Sequence, residues 1–287
     1  MMRPATLRPV SAGTSASRAL PATLLLLLAS CATTHPQGSP DGRLTPADRK
    51  ARVLEVRKQE GSPLASLASL EPILDEGDDT YWSRQAVELV VQLEEPLARK
   101  GVSAAGLLLA HYTGNPSAPL ASHFLFHGAA LMARTGQEKD LRLALHLLLT
   151  LLEEHSPSPL WDDAVWLAAD LCRDLGYRGD ETALLEEALL PHPGWGSDAL
   201  SGRFVQKVRY RLARLYERQG RTDQALREYA LVINFHDGLA LKDDALWHIA
   251  DLHAHLGDRE LELKALRLLV SECPWSRHAS KARERLR

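Results

Sequence analysis

The sequence is short of aromatic residues and cysteine, and its charge is nearly balanced. Aromatics make up 6% of 287 residues, against 45% apolar residues in total. The core must therefore rest on Leu and Ala, which favour helices. A net charge of −3 supplies no bulk attraction to nucleic acid, so no nucleic-acid partner is expected. Of three cysteines, Cys172 and Cys273 show no metal-like spacing, and their pairing stays open. No alternating strand pattern, nucleophile–base pair or phosphate loop is found. "GNPSAP" (114–119) contains Gly, but its prolines make it a connector. The expectation is a non-enzymatic chain with no cofactor and no small-molecule substrate.

The longest apolar stretch, "LPATLLLLLAS" (20–30), is too short to span a bilayer as a helix but has the length of a signal h-region. Arg3, Arg8 and Arg18 precede it, and it runs into "LASC" (28–31). This box resembles that of bacterial lipoproteins: an aliphatic residue, two small ones, then Cys. The resemblance implies a signal peptide over 1–30, cleavage before Cys31 and acylation (palmitate) of Cys31. With Ala32 rather than Asp following, it also implies an outer-membrane protein facing the periplasm. Loss of three arginines would take the charge from −3 to −6. Residues 31–46, rich in Pro, Gly, Ser and Thr, read as a flexible tether.

Beyond the tether the chain is patterned for helices, and it repeats. "FHGAALMARTG" (126–136), "WLAADLCRDLG" (166–176), "YRLARLYERQG" (210–220) and "WHIADLHAHLG" (247–257) each open on an aromatic. Ala follows at Ala129, Ala169, Ala213 and Ala250, then Leu at Leu131, Leu171, Leu215 and Leu252, then Gly at Gly136, Gly176, Gly220 and Gly257. Ala admits a close second helix, Leu fills the space beside it, and Gly stops the helix in a left-handed conformation. An amphipathic run follows each Gly, so each word predicts the first half of an αα-hairpin. The glycines lie 40, 44 and 37 residues apart.

The pattern resembles the tetratricopeptide repeat (TPR) family, best over 206–237, where Leu212, Ala213, Tyr216, Gly220, Ala225 and Tyr229 fit. Arg209 and Asp237 depart from the family's Trp and Pro. The resemblance implies an all-α, right-handed superhelical stack of hairpins. It covers 120–287, with a C-terminal capping helix. Residues 47–119 fit poorly and read as degenerate hairpins; Gln85 and Val87 stand where Ala and Leu are needed. The joints at 236–258 and 272–286 look like those of envelope TPR lipoproteins of the BamD type. That implies a protein-binding scaffold, with outer-membrane protein assembly as one process. A regulator of cell-wall synthesis, secretion or motility machinery is the alternative, and an enzyme site within 47–119 is a third reading.

The words place Val165, Ala168, Ala169, Leu171 and Cys172 on one helical face, and Leu246, Ile249, Ala250, Leu252 and His253 on its counterpart. The opening aromatics lie off that face among polar residues. Phe126, Trp166, Tyr210 and Trp247, with Arg173, Arg214, Arg218 and Asp251, are therefore candidate partner-binding residues on a concave surface. The alternative is that these rings seal neighbouring repeats. "DDAVW" (162–166) and "DDALW" (243–247) place Asp162 and Asp243 near helix starts, where carboxylates can accept free N–H groups. His123 and His127 share a face at metal-ligand spacing without a completing set. The basic tail "RHASKARERLR" (277–287) reads as a capping helix whose cations complement its dipole, or as a dock for an acidic partner.

Overall fold

The computed structural model describes residues 43–58, 62–190, 202–234 and 241–287. The expected signal peptide, Cys31 and the tether up to residue 42 lie outside the described residues. Among these residues there are fourteen helices and no strand. The chain divides into two units between Gly101 and Val102.

The first unit holds α1 (Pro46–Lys58), α2 (Pro63–Glu76), α3 (Tyr81–Gln92) and α4 (Glu94–Ala98). Helices α1, α2 and α3 each touch the other two. Val53, Leu67, Leu70, Ile73, Val87 and Val90 are buried between them. Thr80 caps α3 by accepting from Ser83 N. One charge sits deep here. Arg49 is 4% exposed and donates to Glu76 and, at 2.9 Å, to Asp78. A buried cation is tolerable only with such partners.

The second unit runs through α5 (Ala104–Gly114), α6 (Ala121–Ala133), α7 (Glu138–Glu154), α8 (Trp161–Asp174) and α9 (Arg178–Ala188). It continues with α10 (Gly202–Arg218), α11 (Thr222–Ile233), α12 (Lys242–His255), α13 (Arg259–Glu272) and α14 (Ala279–Arg285). Each helix packs on the next in sequence, and α6 also reaches α8. The four words are the four first helices of the hairpins α6–α7, α8–α9, α10–α11 and α12–α13. Ala129, Ala169, Ala213 and Ala250 are fully buried, and Leu131, Leu171, Leu215 and Leu252 are at most 8% exposed.

The turns follow from the glycines. Gly136, Gly176, Gly220 and Gly257 have φ of 65°, 76°, 71° and 76°, a region that costs an L-residue with a Cβ. Three of them build the same C-cap. Tyr177 N donates to Cys172 O at 2.7 Å, Arg221 N to Tyr216 O at 2.9 Å and Asp258 N to His253 O at 2.9 Å. Each Gly N–H meanwhile donates three residues back. This double closure satisfies carbonyls that a helix end leaves open. It also reverses the chain within two residues, which holds the second helix against the Ala side of the first.

The core is a succession of layers rather than one centre. Leu152 and Leu184 pack into both the α6–α9 cluster and the α8–α12 cluster, while Ile233 and Ile249 link the latter to the α12–α14 cluster. Tyr229 on α11 is completely buried, and its hydroxyl donates to Glu217 at 2.7 Å.

Gly220 and Gly179 separate backbone strain from crowding. An added Cβ meets nothing within 4 Å at either position, but only Gly220 has positive φ. Gly220→Ala should lower the unfolding free energy by about 1–2 kcal/mol, and Gly220→Asn by less. Gly179→Ala should raise it by about 0.4–1 kcal/mol. Urea denaturation followed by far-UV circular dichroism measures all three; a neutral Gly220→Ala would remove the left-handed turn from this account.

Candidate functional site

Helices α8 and α10 open consecutive hairpins and bring Trp166 and Tyr210 to one groove of about 560 Å³. Leu215 and Leu241 add apolar surface; Arg173, Lys207, Arg211, Arg214 and Arg218 add cations; Asp170 and Glu181 add carboxylates. The lining is formally +3 on a chain that is formally −3. Five of the sequence candidates, Trp166, Arg173, Tyr210, Arg214 and Arg218, thus meet here. Phe126 does not: its half-buried ring packs on the α6–α9 core beside His127, 5.2 Å away. Trp247 and Asp251 are also elsewhere, engaged by α14.

The two tryptophans share one arrangement. At the α8–α10 joint, Arg211 stands 5.0 Å from the Trp166 ring centre and bonds Asp170 at 2.8 Å and Glu181 at 2.7 Å. At the α12–α14 joint, Arg285 stands 5.2 Å from the Trp247 ring centre and bonds Asp251 and, through Nε at 3.1 Å, Glu262. In each case Asp follows Trp by four residues and Glu follows it by fifteen. The Arg comes from the next unit. Glu181 is 3% exposed and Glu262 4%, so each needs a cation. Hydrogen bonds from Arg259 and Arg285 hold the Glu262 carboxyl below the usual carboxylate range, against burial. His278 stacks on the Trp247 ring at 5.0 Å and 16°. Trp247 is therefore an inter-repeat packing ring, and one tail cation is committed inside the protein.

The joint between them is built differently. Tyr210 meets Tyr229 edge-on at 5.8 Å, and His248 of α12 stacks on Tyr229 at 5.3 Å and 4°. Arg214 Nη1 lies 2.7 Å from His248 Nε2. A guanidinium has no acceptor, so Nε2 accepts and Nδ1 carries the proton, 3.4 Å from Glu217. Burial pushes the Glu217 carboxyl up, but hydrogen bonds from His248 and Tyr229 outweigh it and leave it below its ordinary value. Burial, with Glu217 beside it, pushes the Tyr229 hydroxyl well above the usual phenol range.

The acidic pairs act otherwise than expected. The residues at the helix starts are Leu160 and Leu241, and neither helix has a side-chain cap hydrogen bond. Asp243 instead accepts from Ser276 Oγ at 2.6 Å. Asp244 accepts from Arg277 at 2.8 Å and lies 2.8 Å from His278 Nε2. Both carboxylates still sit in the first turn, where the helix dipole favours them. They tie α12 to the segment after α13 instead of closing the helix end. The His123 and His127 rings stack at 6.1 Å, and no group of three metal-binding side chains occurs among the described residues. Cys172 and Cys273 are both buried and unpaired; burial pushes the Cys172 thiol up to about 12.

Sequence reasoning missed Lys207, Arg211, Glu181 and Leu241, which lie outside the repeated word or off its aromatic positions. The matching Glu fifteen residues after each Trp was the available signal.

Asp244 and Glu262 set an acid limit for the last hairpin. For Asp244, burial pushes the carboxyl up, but bonds from Arg277 and His278 bring it below its ordinary 3.8; Glu262 lies below its ordinary 4.5. A carboxyl lowered by folding contributes stability above its unfolded value, and this is lost as pH falls through the folded value. Melting midpoints between pH 7 and pH 3 should thus drop below about pH 4. Asp244→Asn with Glu262→Gln should lower the midpoint at neutral pH and flatten that drop. An unchanged acid slope in the double variant would assign the acid limit to other groups.

The tetratricopeptide repeat model matches residues 207–237, the hairpin that carries Tyr210, Arg214 and Arg218. No curated protein matches the chain. Among solved structures, one described as the functional characterization of Pseudomonas aeruginosa pilF is similar to it at 13% identity. The alignment covers 83% of this chain and 98% of that one, with a TM-score of 0.47. The described residues are all-α, the second unit is a succession of helical hairpins, and one of these, 207–237, matches the repeat model, a fold that supports protein–protein interaction.

Proposed function

We propose that this chain is a non-enzymatic scaffold of the bacterial envelope, anchored by lipid at Cys31, that holds a protein partner in the groove between α8 and α10. One observation carries the reading: five residues selected from the sequence for partner binding converge on that groove. It offers apolar ring faces beside exposed charges, the mixture that anchors partner segments. The anchor rests on the "LASC" box (28–31), and placement at the outer membrane, facing the periplasm, rests on the same box. Outer-membrane protein assembly is the process we put first, on the style of the joints at 236–258 and 272–286.

A photo-crosslinking residue at Lys207, in the groove, should capture discrete protein bands in intact cells. The same residue at Leu231, which is 44% exposed on α11, should capture none of them. Identical patterns from both positions would defeat the groove reading. Mass spectrometry of the mature N-terminus should find a diacylglyceryl thioether on Cys31; an unmodified thiol would remove the anchor and leave the groove standing.

A further inference from the structure

We propose that the groove takes an extended acidic peptide segment, two of whose carboxylates bracket an apolar side chain. This rests on the groove being the partner site and names the partner's chemistry.

The cations of α10 are spaced for it. Lys207, Arg211, Arg214 and Arg218 recur at four, three and four residues, so they share one face of the helix. All four line the groove, with Tyr210 among them. The inner pair already has acidic or basic partners inside the protein: Arg211 holds Asp170 and Glu181, and Arg214 meets His248 and Glu217. The outer pair does not. Lys207 and Arg218 are exposed and make no ion pair with any described residue.

The length of α10 between them sets a ruler. Eleven residues separate Lys207 from Arg218, a span of about 16 Å at ~1.5 Å per residue. An extended chain covers that in roughly five residues at ~3.3 Å each. The stretch between the two outer cations offers Trp166, Tyr210 and Leu215, which suit an apolar side chain. Its cations are already taken up, Arg211 by Asp170 and Glu181 and Arg214 by Glu217, so it has no free cation for a strand carrying a phosphate at every step. The lining therefore favours charge at the two ends and greasy surface in the middle. A peptide satisfies both demands and a polynucleotide does not.

The test uses the full chain and three fluorescein-labelled probes in fluorescence anisotropy. The first is an unstructured peptide with two Asp about five residues apart and Leu between them. The second has Asn for both Asp, and the third is a single-stranded oligonucleotide. The Asp peptide should bind, and added salt should weaken it. Lys207→Ala and Arg218→Ala should each weaken it by roughly two- to fivefold, the value of one exposed ion pair. Arg227→Ala, which is exposed on α11 outside the groove, should change nothing. Lys207 and Arg218 make no ion pair with a described residue, and Arg227 bonds only the Asp223 carbonyl one turn back on its own helix, so melting curves should stay unchanged. Equal binding of the Asn peptide, tighter binding of the oligonucleotide, or indifference to both substitutions would overturn the proposal. If Lys207 crosslinks a protein in cells while the Asp peptide fails to bind, the acidic occupant falls and the groove reading survives. If neither occurs, both fall.

Discussion

A carboxylate taken out of water must find a cation or give up its charge. Glu181 and Glu262 are both in that position, each on the second helix of a hairpin and each answered by an arginine from the unit that follows. The next unit is thus required to sit where its guanidinium can reach both a buried Glu and the Asp beside the opening Trp. Apolar contacts alone would hold hairpins together, but they tolerate sliding. A forked, hydrogen-bonded cation does not, because its geometry is fixed. Here the ion pairs set register, and the Leu and Ala layers supply most of the attraction.

That division explains what could be read in advance. The Ala, Leu and Gly of each word act within one hairpin, over at most ten residues, and their meaning is local. Ala169 and Gly176, for example, needed only helix geometry and backbone sterics to interpret. In the first unit one contact that joins helices is distant instead: Arg49 reaches Glu76 and Asp78 across a helix and a turn. Nothing in the spacing around Trp82 announces that. Both acid pairs lie in the first turn of their helices, yet the partners of Asp243 and Asp244 come from over thirty residues away.

The candidate site was legible to the same extent. Angular position on a single helix was enough to bring forward Trp166, Tyr210, Arg173, Arg214 and Arg218. It was insufficient for Glu181 and Leu241, which enter the groove from α9 and from the residue before α12. It also could not tell a ring under one arginine from a ring that a histidine stacks on as well. Trp166 and Trp247 occupy equal positions in nearly equal words, and only the identity of the following helix separates them. Behind Trp247 comes α14, which brings both Arg285 and His278 onto the ring.

The middle joint lacks the fork. Where the Trp units place Glu fifteen residues on, the Tyr210 unit has Ala225, and aromatic faces from Tyr229 and His248 take over the contact. Flat rings keep most of their attraction when displaced sideways, whereas a bonded guanidinium loses its alignment at once. The α10–α12 joint is accordingly held by ring faces and by the Arg214–His248 hydrogen bond, with no guanidinium gripping a buried Glu among the described residues. A segment lying along α10 would thus have a forked joint on its α8 side and a ring-lined joint on its α12 side, two unlike walls for one occupant.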